Sequence, residues 1–109
     1  MNFREINNVS ILNTPQRLDA ISAPRLKERV KEMAQGHGLK LVIDMGDTVF
    51  IDSSGCQVLI SIMKTLAGQK GDMKIARPTR RVFEILQLTR LHRAFEIFPS
   101  VEGAVESFI

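Results

Sequence analysis

The chain has no tryptophan, no tyrosine and a single cysteine among its 109 residues. One thiol, Cys56, excludes an internal disulfide framework and fits a reducing compartment, so a cytoplasmic location is expected. Without Trp or Tyr, the usual platforms for stacking nucleic-acid bases are missing, and no helix-turn-helix or RNA-binding signature is visible. No apolar run approaches the roughly 18 residues of a membrane span. The opening MNFREINNVS has no apolar h-region, so neither export nor direct membrane insertion is expected. Only two histidines occur, His37 and His92. Neither has a ligand partner three or four positions away, so no metal site is expected. GxGxxG, a Walker A loop and a GxSxG elbow are all absent, which leaves no motif for a cofactor and no catalytic set.

What is present describes one globular domain spanning 1–109. Hydrophobic residues make up 44% and charged residues 25%, an average balance that separates the chain from disordered sequences. A chain of this length buries roughly two thirds of its unfolded surface and needs no metal or disulfide staple. The net charge of +3 is unevenly placed: Arg77, Arg80, Arg81, Arg90 and Arg93 face one acid, Glu84, over 77–93. Such a stretch can mark an acidic partner or nucleic acid. Without Tyr or Trp it reads here as a solvated helix face, with Arg80 and Arg81 exposed and no nucleic-acid partner.

Residues 3–6 and 9–12 flank Asn7-Asn8 and read as a hairpin. Ser22-Ala23-Pro24 starts a helix, with Ser22 as N-cap and Pro24 in the first turn. Its stripe is Leu26, Val30, Met33 and Ala34, and Gly36 and Gly38 end it. The run at 39–43 reads as a buried central strand. TVFI at 48–51 leads into Asp52-Ser53-Ser54-Gly55. A second helix follows with Val58, Leu59, Ile62, Met63 and Leu66 on one face, ending at Gly68 or Gly71. Residues 73–76 form a strand, and Thr79 caps a third helix carrying Val82, Phe83, Ile85 and Leu86. Residues 95–98 read as the last strand. Ser100 caps a final helix with Val101, Ala104, Val105 and Phe108. The order β-β-α-β-α-β-α-β-α predicts an α/β domain, a mixed sheet packed against about four helices.

The segment from Asp44 to Gly55 carries the chemistry. A strand ends, the chain turns through polar residues, and a helix begins near Ser53 or Ser54. The first N–H groups of that helix lack internal partners and carry partial positive charge, so they can accept an anion, including a phosphate on a nearby hydroxyl. On spacing alone, Asp52, Ser53 and Ser54 read first as plain helix caps, as these residue types usually are. Cys56 falls in the first turn, where a thiol pKa can be lowered, although a small residue facing the core is the simpler assignment. Met33, Met45, Met63 and Met73 read as core filler.

LVIDMGDTVFIDSSG at 41–55, followed by VLISIMK, resembles the signature of STAS domains, and more narrowly that of bacterial anti-sigma-factor antagonists. Leu18-Asp19 with Ser22-Ala23-Pro24-Arg25-Leu26, Gly71-Asp72-Met73-Lys74-Ile75, and the run from Val82 to Leu91 are similar to further segments of that family. The resemblance thus covers nearly the whole chain. It implies a single STAS-like domain acting as a non-enzymatic partner switch. In that family the unmodified antagonist binds an anti-sigma factor that is also a serine kinase of the histidine-kinase-like ATPase superfamily, releasing the sigma factor. Phosphorylation of the serine after the aspartate turns binding off, and a PP2C-type phosphatase restores it. By motif position the phosphoacceptor is Ser53, with Asp19, Asp52, Ser54, Gly55, Cys56 and Gln57 facing the partner. The resemblance also admits a second role, a STAS docking subunit of a membrane transporter or signalling assembly that is not phosphorylated. A monomer is the simpler expectation for a face that must change partners. Three departures from the family pattern stand out. No Gly precedes Gln16-Arg17-Leu18-Asp19, Gln57 replaces a small residue after Gly55-Cys56, and Arg90 replaces Gly in Thr89-Arg90-Leu91.

Overall fold

A computed structural model describes residues 1–35 and 38–109; the expected helix stop at Gly36 and the reading of His37 lie outside them. The chain opens with β1 (Phe3–Ile6) and β2 (Val9–Asn13), an antiparallel hairpin in which Phe3 pairs with Leu12 and Ile6 with Val9. Asn7 and Asn8 both take positive φ, 52° and 66°, the left-handed pair that a tight hairpin turn requires and that Asn tolerates. Next come β3 (Arg17–Leu18), α1 (Ala23–Ala34), β4 (Lys40–Asp44), β5 (Phe50–Ile51) and α2 (Ser53–Ala67). β6 (Asp72–Ala76), α3 (Arg80–Leu88), a 3-10 turn over Leu91–Arg93, β7 (Ile97–Phe98) and α4 (Val101–Glu106) complete the fold.

The main sheet has the order β1-β2-β4-β6-β7, antiparallel at the first pair and parallel at the rest. Each parallel step needs a crossover, supplied by α1, α2 and α3 in turn. Residues of period two divide the sheet into faces. Leu12, Leu41, Ile43, Met73 and Ile75 join Leu26 and Val30 of α1, Leu59 and Ile62 of α2, and Val82 and Leu86 of α3 in the larger core. Val9, Ile11, Val42 and Ala76 point to the other face, where Val101, Ala104 and Val105 of α4 cover them. β4 is buried on both faces, which is why its sequence runs apolar without alternation. The mixed α/β architecture agrees with the sequence expectation.

Three local expectations need correction. β3 and β5 pair with each other as a separate two-stranded parallel ladder, which two-residue strands cannot announce by periodicity. The expected strand at 95–98 is only Ile97–Phe98, because Phe95 turns into the larger core instead. α1 carries no side-chain cap from Ser22. The Ser22 hydroxyl donates to Arg17 O at 2.6 Å and accepts from Asp19 N at 3.0 Å, and Asp19 ties the helix entry instead. α2 runs to Ala67 with Gly68 as its C-cap, the first of the two expected stops.

Candidate functional site

The site is built at the carboxyl ends of the strands. Asp44, the last residue of β4, is almost fully buried. Its Oδ1 accepts from Gly46 N and Arg77 Nε, both at 3.0 Å, and its Oδ2 from Arg77 Nη2 at 3.2 Å. This two-pronged pair holds the guanidinium protonation above its ordinary value, first through the hydrogen bonds to Asp44 and then through that residue's charge. A Cβ at position 46 would lie 2.3 Å from Arg77 Nη2, so a glycine lets the arginine close over the turn. Next to it, the Thr48 hydroxyl donates to Pro15 O at 2.7 Å and also bonds the Thr14 hydroxyl, while Thr79 Oγ1 donates to Thr48 O at 2.8 Å. The chain after β4 is thereby fixed as it enters β5.

β3 and β5 then set two aspartates side by side. Arg17 pairs with Phe50 and Leu18 with Ile51, and Asp52 N–H extends the ladder to Leu18 O at 3.3 Å. Asp19 and Asp52 therefore leave neighbouring strands, which lie about 4.8 Å apart in any sheet. Asp52 caps α2, its Oδ1 accepting from Gly55 N at 3.0 Å. A Cβ at Gly55 would meet Leu18 O at 2.4 Å and Ile51 Cγ1 at 2.7 Å. The glycine is thus needed for the first turn of α2 to lie against the end of β3. Asp19 Oδ1 accepts from Ile21 N at 3.0 Å and Ser22 N at 3.1 Å, and Arg17 Nε lies 3.4 Å from Oδ2. Its carboxyl is held below the ordinary value, chiefly by the Ser22 N–H, with burial opposing and Ile21 and Arg17 assisting.

Ser53 is the first residue of α2 and is exposed. Asp52 already occupies the Gly55 N–H, which leaves those of Ser53 and Ser54 without intrahelical partners. Ser54 is half-buried and Gln57 exposed, and both line a groove of about 320 Å³ between α1 and α2 whose other wall includes Ala20 and Pro24. Lys27 spans this groove, its Nζ donating to Ser61 Oγ at 2.8 Å and Thr65 Oγ1 at 2.7 Å. Burial, then the nearby Lys31, pull the ammonium pKa down. Ile21, which follows Ala20 of that wall in the chain, is 73% exposed. The sequence carried no signal for Ile21 or for the groove, because an apolar residue in a turn belongs to no periodic pattern.

Gly55 and Cys56 are both buried, so they offer a partner little side-chain surface. Cys56 belongs to the larger core, and burial first, then the charge of Asp52, push its thiol pKa up against a hydrogen bond from Thr89. A lowered thiol pKa at this helix start is therefore not found. His92 Nδ1 lies 3.4 Å from Leu86 O. Among the described residues no cluster of His, Cys, Asp and Glu could hold a metal ion, and no helix is long and apolar enough to cross a membrane.

The scaffold that presents this serine at a helix start has counterparts among known proteins. The model of the STAS domain family matches residues 1–104, and the chain belongs to that family. The anti-sigma-B factor antagonist of Bacillus subtilis is 28% identical over 100 residues, covering 92% of this chain and 90% of that protein. TM1081 from Thermotoga maritima, assigned as an anti-sigma factor antagonist, superposes with a TM-score of 0.86 at 26% identity, covering 97% of this chain and 92% of that one. The unphosphorylated form of the anti-sigma factor antagonist SpoIIAA gives a TM-score of 0.82 at 16% identity over 98% of this chain and 94% of its own. At that identity it testifies to the fold.

Proposed function

We propose that the protein is an anti-sigma-factor antagonist working by partner switching. Its unphosphorylated form binds an anti-sigma factor that is also a serine kinase of the histidine-kinase-like ATPase superfamily, and so frees a sigma factor. Phosphorylation of Ser53 turns binding off, and a PP2C-type phosphatase reverses it. The domain itself acts in the cytoplasm as a monomer and catalyses nothing. The observation that carries this is the placement of Ser53, exposed as the first residue of α2 directly after the Asp52 cap. The similarity to anti-sigma-B factor antagonists supports it. Asp19, Ser54 and Gln57, with the groove between α1 and α2, make the surface around it.

Magnitudes favour a switch that spares the fold. Phosphorylation adds about −1.5 to −2 charges at pH 7. The helix N-terminus offsets this with about 0.3–1 kcal/mol of attraction. A partner seated over Ser53 instead excludes the water that screens the phosphate from neighbouring carboxylates in the free chain. One unit charge about 5 Å from a carboxylate costs roughly 3 kcal/mol at an effective dielectric of about 20, and about 3 kcal/mol weakens binding about 100-fold. The test is the affinity of purified Ser53→Ala and Ser53→Asp variants for the cognate kinase. Ser53→Ala is expected to bind like the unmodified protein and Ser53→Asp about 100-fold more weakly, with unchanged thermal unfolding. Equal affinities would refute the reading, and a phosphate found on Ser54 alone in the native cell would move the site by one residue.

A further inference from the structure

The arginines of the 77–93 stretch are not all committed within the fold. Arg77 is bound to Asp44 and Arg80 pairs with Glu84 at 3.5 Å, whereas Arg81 is exposed and makes no ion pair among the described residues. Arg81 stands on the first turn of α3, which contains no acidic residue. Across a groove of about 390 Å³ lies the β3–β5 ladder, contributing Arg17 and Phe50, with Val49 just before β5. The Arg17 guanidinium stacks 4.0 Å above the Phe50 ring centroid while its Nε lies 3.4 Å from Asp19 Oδ2, so the fork is already oriented and its two terminal nitrogens are the donors left for a ligand. Val49 is 55% exposed and forms the apolar part of the wall. Thr79, also lining the groove, has its hydroxyl hydrogen committed to Thr48 O. The polar capacity left is therefore almost entirely guanidinium, which donates and never accepts.

We infer that this groove is a second docking point for an acidic protein segment. A carboxylate side chain of the segment lies between Arg17 and Arg81, and an aliphatic neighbour covers Val49. Charge complementarity selects the occupant: two guanidiniums beside an apolar wall match a carboxylate next to an aliphatic residue. A nucleic acid would need a free aromatic face, and the one ring here is covered by Arg17. The inference rests on the partner-binding reading for its physiological partner. β5 links the two places directly, since Val49 and Ser53 are four residues apart along an extended chain, about 13 Å. A partner seated on Ser53 that spans about 13 Å can thus reach the groove.

The test uses the full chain labelled with 15N and followed by amide shifts at low salt. The probes are two capped peptides, Glu-Leu-Glu-Leu-Glu and Lys-Leu-Lys-Leu-Lys, and a short single-stranded DNA. The acidic peptide is expected to shift amides around Arg17, Val49, Phe50 and Arg81 with millimolar affinity. Arg81→Glu is expected to weaken it at least 10-fold while keeping the dispersed spectrum of the folded protein. The titration is expected to be the same in Ser53→Asp, so failure here is separable from failure of the Ser53 reading. Shifts confined to the groove between α1 and α2, equal response to the basic peptide, binding of the DNA alone, or indifference to Arg81→Glu would each overturn the inference.

Discussion

Asp19 couples the fold to the site through one carboxylate. It receives the N–H groups of Ile21 and Ser22 that open the path into α1, and it stands beside Asp52 at the end of the β3–β5 ladder. Its lowered pKa, caused first by the Ser22 N–H, has a defined sign in stability. A carboxyl whose folded pKa lies below its unfolded value, about 3.9, stabilises the native state above that value. The contribution is lost as pH falls through the folded pKa. Urea midpoints of the wild type are therefore expected to drop below about pH 4. Asp19→Asn, which keeps a carbonyl oxygen for the two N–H groups, is expected to show a shallower drop; superimposable profiles would contradict this role. At this scale the sequence was partly legible. Ser53, Asp52 and Asp19 could be singled out from motif position. The need for glycine at position 55 could not, because the obstacle is Leu18 O, thirty-seven residues earlier in the chain.

Elements were legible in proportion to their length. α1 and α2 announce themselves by apolar stripes that recur over about two and a half turns, and β4 by a short β-rich run at 39–43, bounded by Gly38 and Asp44 and apolar but for Lys40. β3 and β5 are two residues each, too short for any period, and form only because the turn after β4 is fixed by polar groups far apart in sequence. The Asp44–Arg77 pair is the main tie, and Arg77 adopts φ 53°, a left-handed backbone that a non-glycine residue holds only under surrounding constraint. Arg77→Ala strips the partner from a carboxylate whose side chain is 3% exposed. Because the arginine itself is 47% exposed, the expected loss is about 2 kcal/mol, below the range for a fully buried pair. The Asp44→Asn/Arg77→Ala double variant is expected to lose less than the sum of the two singles, and a strictly additive cycle in chemical denaturation would show that the pair is not coupled.

Over the whole molecule, the two faces of the sheet divide the work. The face covered by α1, α2 and α3 leads to Ser53, the groove beside it and the arginine groove. The other face is closed by α4, six residues long, over the smaller apolar cluster. Lys74, buried on that second face, fastens α4 to it: its Nζ donates to Ser107 Oγ at 2.8 Å and Ser107 O at 3.1 Å, and lies 4.3 Å from the Phe108 ring centroid. Glu96 adds an ion pair at 3.8 Å. None of these groups belongs to the Ser53 surface. If the domain switches partners by adding charge at one helix start rather than by reshaping itself, stability and binding separate at this residue. Lys74→Ala is expected to lower unfolding stability by about 1–3 kcal/mol, the cost of leaving buried polar groups without their partner. The affinity of the folded protein for a kinase is expected to stay within twofold, as is the ratio between its Ser53→Ala and Ser53→Asp forms. A matching loss of affinity at temperatures where Lys74→Ala remains fully folded would mean that α4 and the Ser53 end are conformationally linked, and that the switch involves the whole sheet.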